Sequence, residues 1–135
     1  MSATTYLLDS DIIIDALRGK RGRARALGAL IQKGGLLACC AINVAEVCAG
    51  MRPNEETRTR AFLESLEYLD ITRATAEEAG RLKRRWAQKG VTLGLADVTV
   101  AAVALAHGAR LITGNLRHYP MADLRMFTLP EAKEA

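Results

Sequence analysis

Apolar residues fall in short blocks separated by glycines and charged clusters, and the block lengths predict alternating strands and helices. Thr5 to Leu8 is a brief apolar run ending at Asp9 and reads as a first strand. Ser10 is placed to cap a helix carrying Ile12, Ile13, Ile14, Ala16 and Leu17, closed by Gly19. Arg21 to Lys33 is rich in Ala, Leu and Arg and predicts a second helix, stopped by Gly34 and Gly35. Leu36 to Cys40 reads as a short buried strand, and Ile42 to Ala49 as a helix ended by Gly50. Pro53 and Asn54 open a polar helix to about Leu66, and Tyr68 to Ile71 is a third strand. Thr75 and Glu78 have capping-box spacing for a helix to about Lys89, with Ala79, Leu82 and Trp86 on one face. Leu95 to His107 is a long apolar helix closed by Gly108; Arg110 to Thr113 is a fourth strand and Arg125 to Leu129 a fifth.

Strands alternating with helices predict an α/β fold, one domain over residues 1–135, with a central, mostly parallel sheet of four to five strands and helices on both faces. The length suits a single core, and there is no linker, repeat or low-complexity stretch. No segment reaches the roughly 18 uninterrupted apolar residues of a membrane span. The start has no basic cluster before its apolar run, so a secretory signal is not expected and a cytoplasmic location is.

Three acidic residues break this pattern. Asp97 is the only acid of the apolar helix Leu95–His107, Glu46 the only charge of Ile42–Ala49, and Asp9 ends an apolar strand. A buried carboxylate without a partner is costly. An internal salt bridge or a helix cap is one solution, and the first-turn position of Asp97 favours a negative charge. The segments concerned carry no Lys or Arg, however. A shared cation is the other solution. In open parallel sheets, sites form beyond the carboxyl ends of the strands, where Asp9 lies. Carboxylates roughly 5 Å apart at an effective dielectric near 20 repel by about 3 kcal/mol per pair, and a divalent cation reverses that sign. Oxygen ligands alone suit Mg2+ or Mn2+ rather than zinc, and magnesium that keeps several waters is a site for phosphate.

Weaker candidates surround these three. Gly114 permits a turn that brings Asn115 and the Thr113 hydroxyl to the same edge. Asp11 is close enough to join through water, while Asp15 is expected to be solvated. His118 is expected to be a partly exposed loop residue. The basic runs Arg21, Arg23, Arg25 and Arg81 to Lys89 are expected to be solvated helix faces, with phosphate contact as the alternative. Cys39, Cys40 and Cys48 lack zinc spacing and are expected to be buried, reduced thiols, the first two on opposite strand faces. The net charge of +4 favours nucleic acid or an acidic partner, but one Trp, three Tyr and two Phe leave few stacking platforms.

Four segments in order, YLLDSDIII (6–14), NVAEVCAG (43–50), DVTVAAVA (97–104) and TGNLRHY (113–119), resemble the PIN-domain ribonucleases, and among them the VapC-type toxins of bacterial toxin–antitoxin pairs. The resemblance spans nearly the whole chain. It implies a PIN-like three-layer sandwich and a Mg2+-dependent endoribonuclease, with Mn2+ a possible substitute, cutting RNA by a metal-activated water to leave 5′-phosphate and 3′-hydroxyl ends. Asp9, Glu46 and Asp97 become its acidic, metal-binding site. Asn115 takes a fourth position that is often Asp or Asn. A VapB-type antitoxin that wraps the helices and blocks the site is implied, as is a homodimer or a higher assembly with antitoxin. Many relatives have Thr and Ser where this chain has Asn43 and Cys40, which bears on the polar contacts behind the acids. Two other readings differ in class. Asp9–Ser10–Asp11 after an apolar strand also looks like the start of a HAD-type phosphatase with Asp9 as nucleophile, although the later lysine and acidic pair of that family are missing. A non-catalytic PIN-like protein that binds RNA or a partner is the other.

Overall fold

The computed structural model describes residues 3–131. Strand β1 (Thr5–Leu8) leads into helix α1 (Ser10–Leu17) and helix α2 (Arg23–Gln32). Strand β2 (Leu36–Cys39), helix α3 (Ala41–Ala49), a 3-10 turn (Pro53–Glu55), helix α4 (Glu56–Ser65) and the two-residue strand β3 (Glu67–Tyr68) follow. Helix α5 (Arg73–Gln88), helix α6 (Leu95–His107), strand β4 (Arg110–Ile112) and a 3-10 turn (Leu116–His118) complete the order. The four strands form one parallel sheet in the order β3-β2-β1-β4.

Side-chain alternation along the strands divides the core into two layers. Leu7 and Leu111 face α5 and α6, whose Leu82, Val100 and Val103 bury against them. Tyr6, Leu8, Cys39 and Ile112 face the opposite way, onto Ile12 and Ile13 of α1, Leu27 and Leu30 of α2, Val47 and Leu63. Apolar burial on both sheet faces makes this a three-layer α/β sandwich. Helix α6 is the most enclosed element: Val98 to Ala104 are all buried, as its uniform apolarity predicts. Among the described residues no helix is long and apolar enough to cross a membrane.

Three boundaries differ from the sequence expectation. The expected fifth strand, Arg125–Leu129, is reduced to a single parallel bridge between Met126 and Leu111. Leu111 exchanges two backbone hydrogen bonds with Arg125 and Phe127 (2.8 and 2.9 Å), but β4 then turns away at Thr113–Gly114 and offers no further ladder groups. The third strand is Glu67–Tyr68 rather than Tyr68–Ile71, because β2 ends at Cys39 and Cys40 caps α3. Leu69 and Ile71 instead pack under α5 and α6. Helix α5 starts a turn early, with Thr72 accepting from the Thr75 amide at 3.1 Å, while Glu78 pairs with Arg81.

Three side chains are also corrected, and Glu46 is exposed rather than buried. Asp15 is not solvated; its carboxylate lies 3.6 Å from both Arg21 and Arg23. Arg23 is buried rather than part of a solvated face. Cys39 and Cys40 are buried in opposite layers, but Cys48 is exposed, one position past the core-facing Val47. His118 is half-exposed as expected, yet it contacts Asp97.

Candidate active site

Strands β1 and β4 and the helices beside them bring polar groups to one edge of the sheet. Asp9 follows the last residue of β1 and caps α1; its Oδ1 accepts from the Ser10 amide at 2.9 Å. Its Oδ2 accepts from the Thr113 hydroxyl and the Tyr119 hydroxyl, both at 2.8 Å. Thr113 follows β4, the immediate neighbour of β1, so the sheet itself sets this contact. Asp9 is 8% exposed, and its carboxylate accepts from two hydroxyls and one amide.

Two residues, Ser10 and Tyr119, carry the connection from Asp9 to the other acids. Ser10 Oγ donates to Glu46 Oε1 at 2.6 Å, which ties α1 to α3. Tyr119 Oη lies 3.4 Å from Asp97 Oδ1 as well as 2.8 Å from Asp9 Oδ2. A hydroxyl has one proton, and it goes to the nearer Asp9. Asp97 is left with a weaker contact and with His118 Nδ1 at 3.3 Å from its Oδ2. Partial burial raises the Asp97 pKa; His118 opposes the rise, and Asp9 adds to it. The Tyr119 phenol is pushed strongly upward by burial and by Asp9, so it stays a donor at every working pH.

A second cluster holds the neighbouring turn. Asp11 Oδ2 accepts from the Gly114 amide at 2.9 Å and from Asn115 Nδ2 at 3.3 Å. A side chain at Gly114 would bring a Cβ within 2.6 Å of that oxygen and 3.4 Å of the Arg23 guanidinium. Burial and then Asp9 raise the Asp11 pKa. Asn115 therefore faces Asp11, and Asp11 joins the edge directly.

The fold connects Asp9 to Asp97 through Tyr119 and to Glu46 through Ser10, while Asn115 bonds Asp11 with its side chain and Thr113 with its amide. Sequence reasoning missed Tyr119 and the role of Asn43. Asn43 is fully buried; its Oδ1 accepts from the Cys40 amide at 2.9 Å and its Nδ2 donates to Ser10 Oγ at 3.3 Å. It orients the hydroxyl that reaches Glu46. Its signal was available: it is the only polar residue besides Glu46 in Ile42–Val47. Tyr119 carried none, since a tyrosine before a proline reads as ordinary packing.

The donor set is carboxylate, amide and hydroxyl oxygen. Among the described residues no three His, Cys, Asp or Glu converge as a single direct ligand set; the Tyr119 hydroxyl lies between Asp9 and Asp97, and Ser10 separates Asp9 from Glu46. Mg2+ keeps several waters and needs only one or two direct carboxylates. Such an ion fits this edge, with the remaining acid reached through water.

A family model for the PIN domain matches residues 6–124. The chain is 34% identical to Ribonuclease VapC19 of Mycobacterium tuberculosis over 115 residues, 85% of this chain and 92% of that one. It is 35% identical to Ribonuclease VapC10 of the same organism over 117 residues, 87% of each. Its fold is similar to that in a crystal structure of VapBC2 from Rickettsia felis bound to a DNA fragment from their promoter. The TM-score is 0.82 at 24% identity, over 93% of this chain and 99% of that one.

Proposed function

The chain belongs to the PIN-domain family and, within it, to the VapC ribonucleases, and from that premise we propose that it is a Mg2+-dependent endoribonuclease that acts as the toxin of a toxin–antitoxin pair. The observation that carries the reading is the set of acids Glu46, Asp9 and Asp97 at the carboxyl end of a parallel sheet, with Ser10 bonding Asp9 through its amide and Glu46 through its hydroxyl, and the Tyr119 hydroxyl reaching Asp9 and Asp97. Asp9 and Asp97 would hold the ion and Glu46 would join directly or through water. When bound, the ion supplies an activated water and neutralises charge on the phosphate.

The rest of the mechanism lies in the chain's own groups. Ser10, Thr113 and Tyr119 fix both oxygens of Asp9, so its orientation is set before substrate arrives. Asn43 holds Ser10, and Ser10 holds Glu46, a carboxylate that could accept a proton at this edge. Asp11 and Gly114 keep the turn carrying Asn115 closed against that edge. A neighbouring VapBC assembly supports an antitoxin of VapB type as partner. The self-associated state is the homodimer implied by the family.

The test is an RNase assay on purified, antitoxin-free protein in Mg2+ or Mn2+, beside Asp97→Asn. Wild type should cut RNA and lose the activity to chelation, and the variant should lose at least about 100-fold. Equal cutting by both, or cutting that survives full chelation, defeats the reading. RNA binding without metal-dependent cleavage supports the non-catalytic reading instead.

A further inference from the structure

Beside the acids lies a pocket of opposite character. A cavity of about 420 Å³ is lined by Gly114, Asn115, Leu116, Arg117 and His118, and among the described residues no carboxylate lines it. That volume is within the roughly 300–1,000 Å³ usual for small-ligand sites. Two of the five lining residues are basic. Arg117 is exposed and makes no salt bridge among the described residues, and Leu116 is a large apolar side chain left 52% exposed.

The turn that presents these groups is pinned at both ends. Asp11 holds Gly114 and Asn115, and the buried Tyr119 anchors the other end through Asp9. The His118 amide bonds Asn115 O and the Tyr119 amide bonds Leu116 O, each at 3.0 Å. Because the backbone of the turn is already held, a docking ligand would order the side chains of Leu116 and Arg117 but not the chain that carries them.

We propose that this pocket holds the nucleotide next to the scissile phosphate of a single-stranded RNA, with Arg117 on its phosphate and Leu116 against its base. The inference rests on the ribonuclease reading and adds the substrate subsite. Charge complementarity selects this occupant. The acid edge accepts a phosphate only through a cation, whereas the phosphate one step along the strand meets Arg117 directly. Leu116 offers a base face no hydrogen bond, so this position tolerates any base.

The experiment measures binding of a short, mixed-sequence single-stranded RNA by fluorescence anisotropy, with Ca2+ in place of Mg2+, across a salt series. Arg117→Ala should weaken binding roughly tenfold and flatten the log Kd against log salt slope by about 0.7, the share of one single-strand phosphate contact. Arg117→Lys should keep the slope. Leu116→Ser should weaken binding to normal RNA but not to abasic RNA of the same length. Both side chains are exposed, and an unchanged melting curve checks folding. Wild-type affinity and slope in Arg117→Ala overturns the proposal, as does an equal loss on normal and abasic RNA in Leu116→Ser. So does loss of antitoxin binding with RNA affinity intact, which assigns the pocket to the protein partner. A chain that cuts RNA while Arg117→Ala binds like wild type loses only this inference; one that binds as described but cuts nothing loses only the ribonuclease reading.

Discussion

Tyr119 shows how much one hydroxyl does at this edge. It is buried, holds its proton, and reaches both Asp9 and Asp97. Tyr119→Phe keeps the ring and removes the donor. Groups that orient metal-binding carboxylates typically cost about 10- to 100-fold in activity or metal affinity when lost, and that is the expected range for cleavage. The pH profile separates this from a packing defect. Burial already raises the carboxyl pKa of Asp97 and Asp11. A raised carboxyl pKa keeps the proton on to a higher pH, so the acid limb of activity should lie above the ordinary aspartate value of 3.8. Tyr119→Phe removes a contact that favours the charged form of Asp97, so its limb should move further up in pH. A variant with lowered activity and an unmoved limb would show that the phenol only packs.

Between elements, the clearest junction outside the site joins α1 to the turn before α4. Arg18 closes α1 and pairs with Glu55 through Nε at 3.1 Å and a second nitrogen at 3.2 Å, a two-pronged contact. Arg18 and the Arg52 amide pull the Glu55 pKa down to about 2. A depressed carboxyl pKa gives stability that is complete above the unfolded value of 4.5 and disappears as pH falls through the folded one. Arg18→Met should therefore be less stable than wild type by a constant amount above pH 4.5, and the gap should close toward about pH 2. Urea titrations at stepped pH measure it, and a gap independent of pH removes the pair from the account. Such junctions were not legible in the sequence, because they join residues far apart in the chain. The elements themselves were. The apolar block of α6 and the glycine stops place most helices within two residues. What failed were strand lengths. A strand runs only as far as its neighbour, and β3 and the Met126 bridge stop where β2 and β4 turn away. Asp9, Glu46 and Asp97 stood out as isolated acids in apolar segments. The residues linking them did not, since Ser10 and Tyr119 look like a cap and a packed ring until the sheet closes.

At the scale of the whole molecule the charge is segregated. A chain of net charge +4 gathers Asp9, Asp11, Glu46 and Asp97 at one sheet edge. Without a cation Asp11 and Asp97 oppose folding, because a carboxyl with a raised pKa is charged at neutral pH at a cost the unfolded chain does not bear. In linkage terms the folded state binds more protons than the unfolded one in that window, so stability from these groups increases as pH falls. The sign yields a comparison that activity alone cannot make. In chelator at neutral pH, Asp97→Asn should melt higher than wild type, since the raised Asp97 pKa marks a charge that costs the folded state stability. Adding Mg2+ should raise the wild-type midpoint, by an amount equivalent to about 2.7 kcal/mol when the ion is at 100 times its Kd, and should raise the variant much less. The order of the two melting points then inverts between chelator and magnesium. A variant that melts below wild type in chelator would mean that Asp97 is a stabilising cap of α6. Equal magnesium responses would mean that it holds no ion. The inversion is the expected signature of an edge destabilised in order to bind.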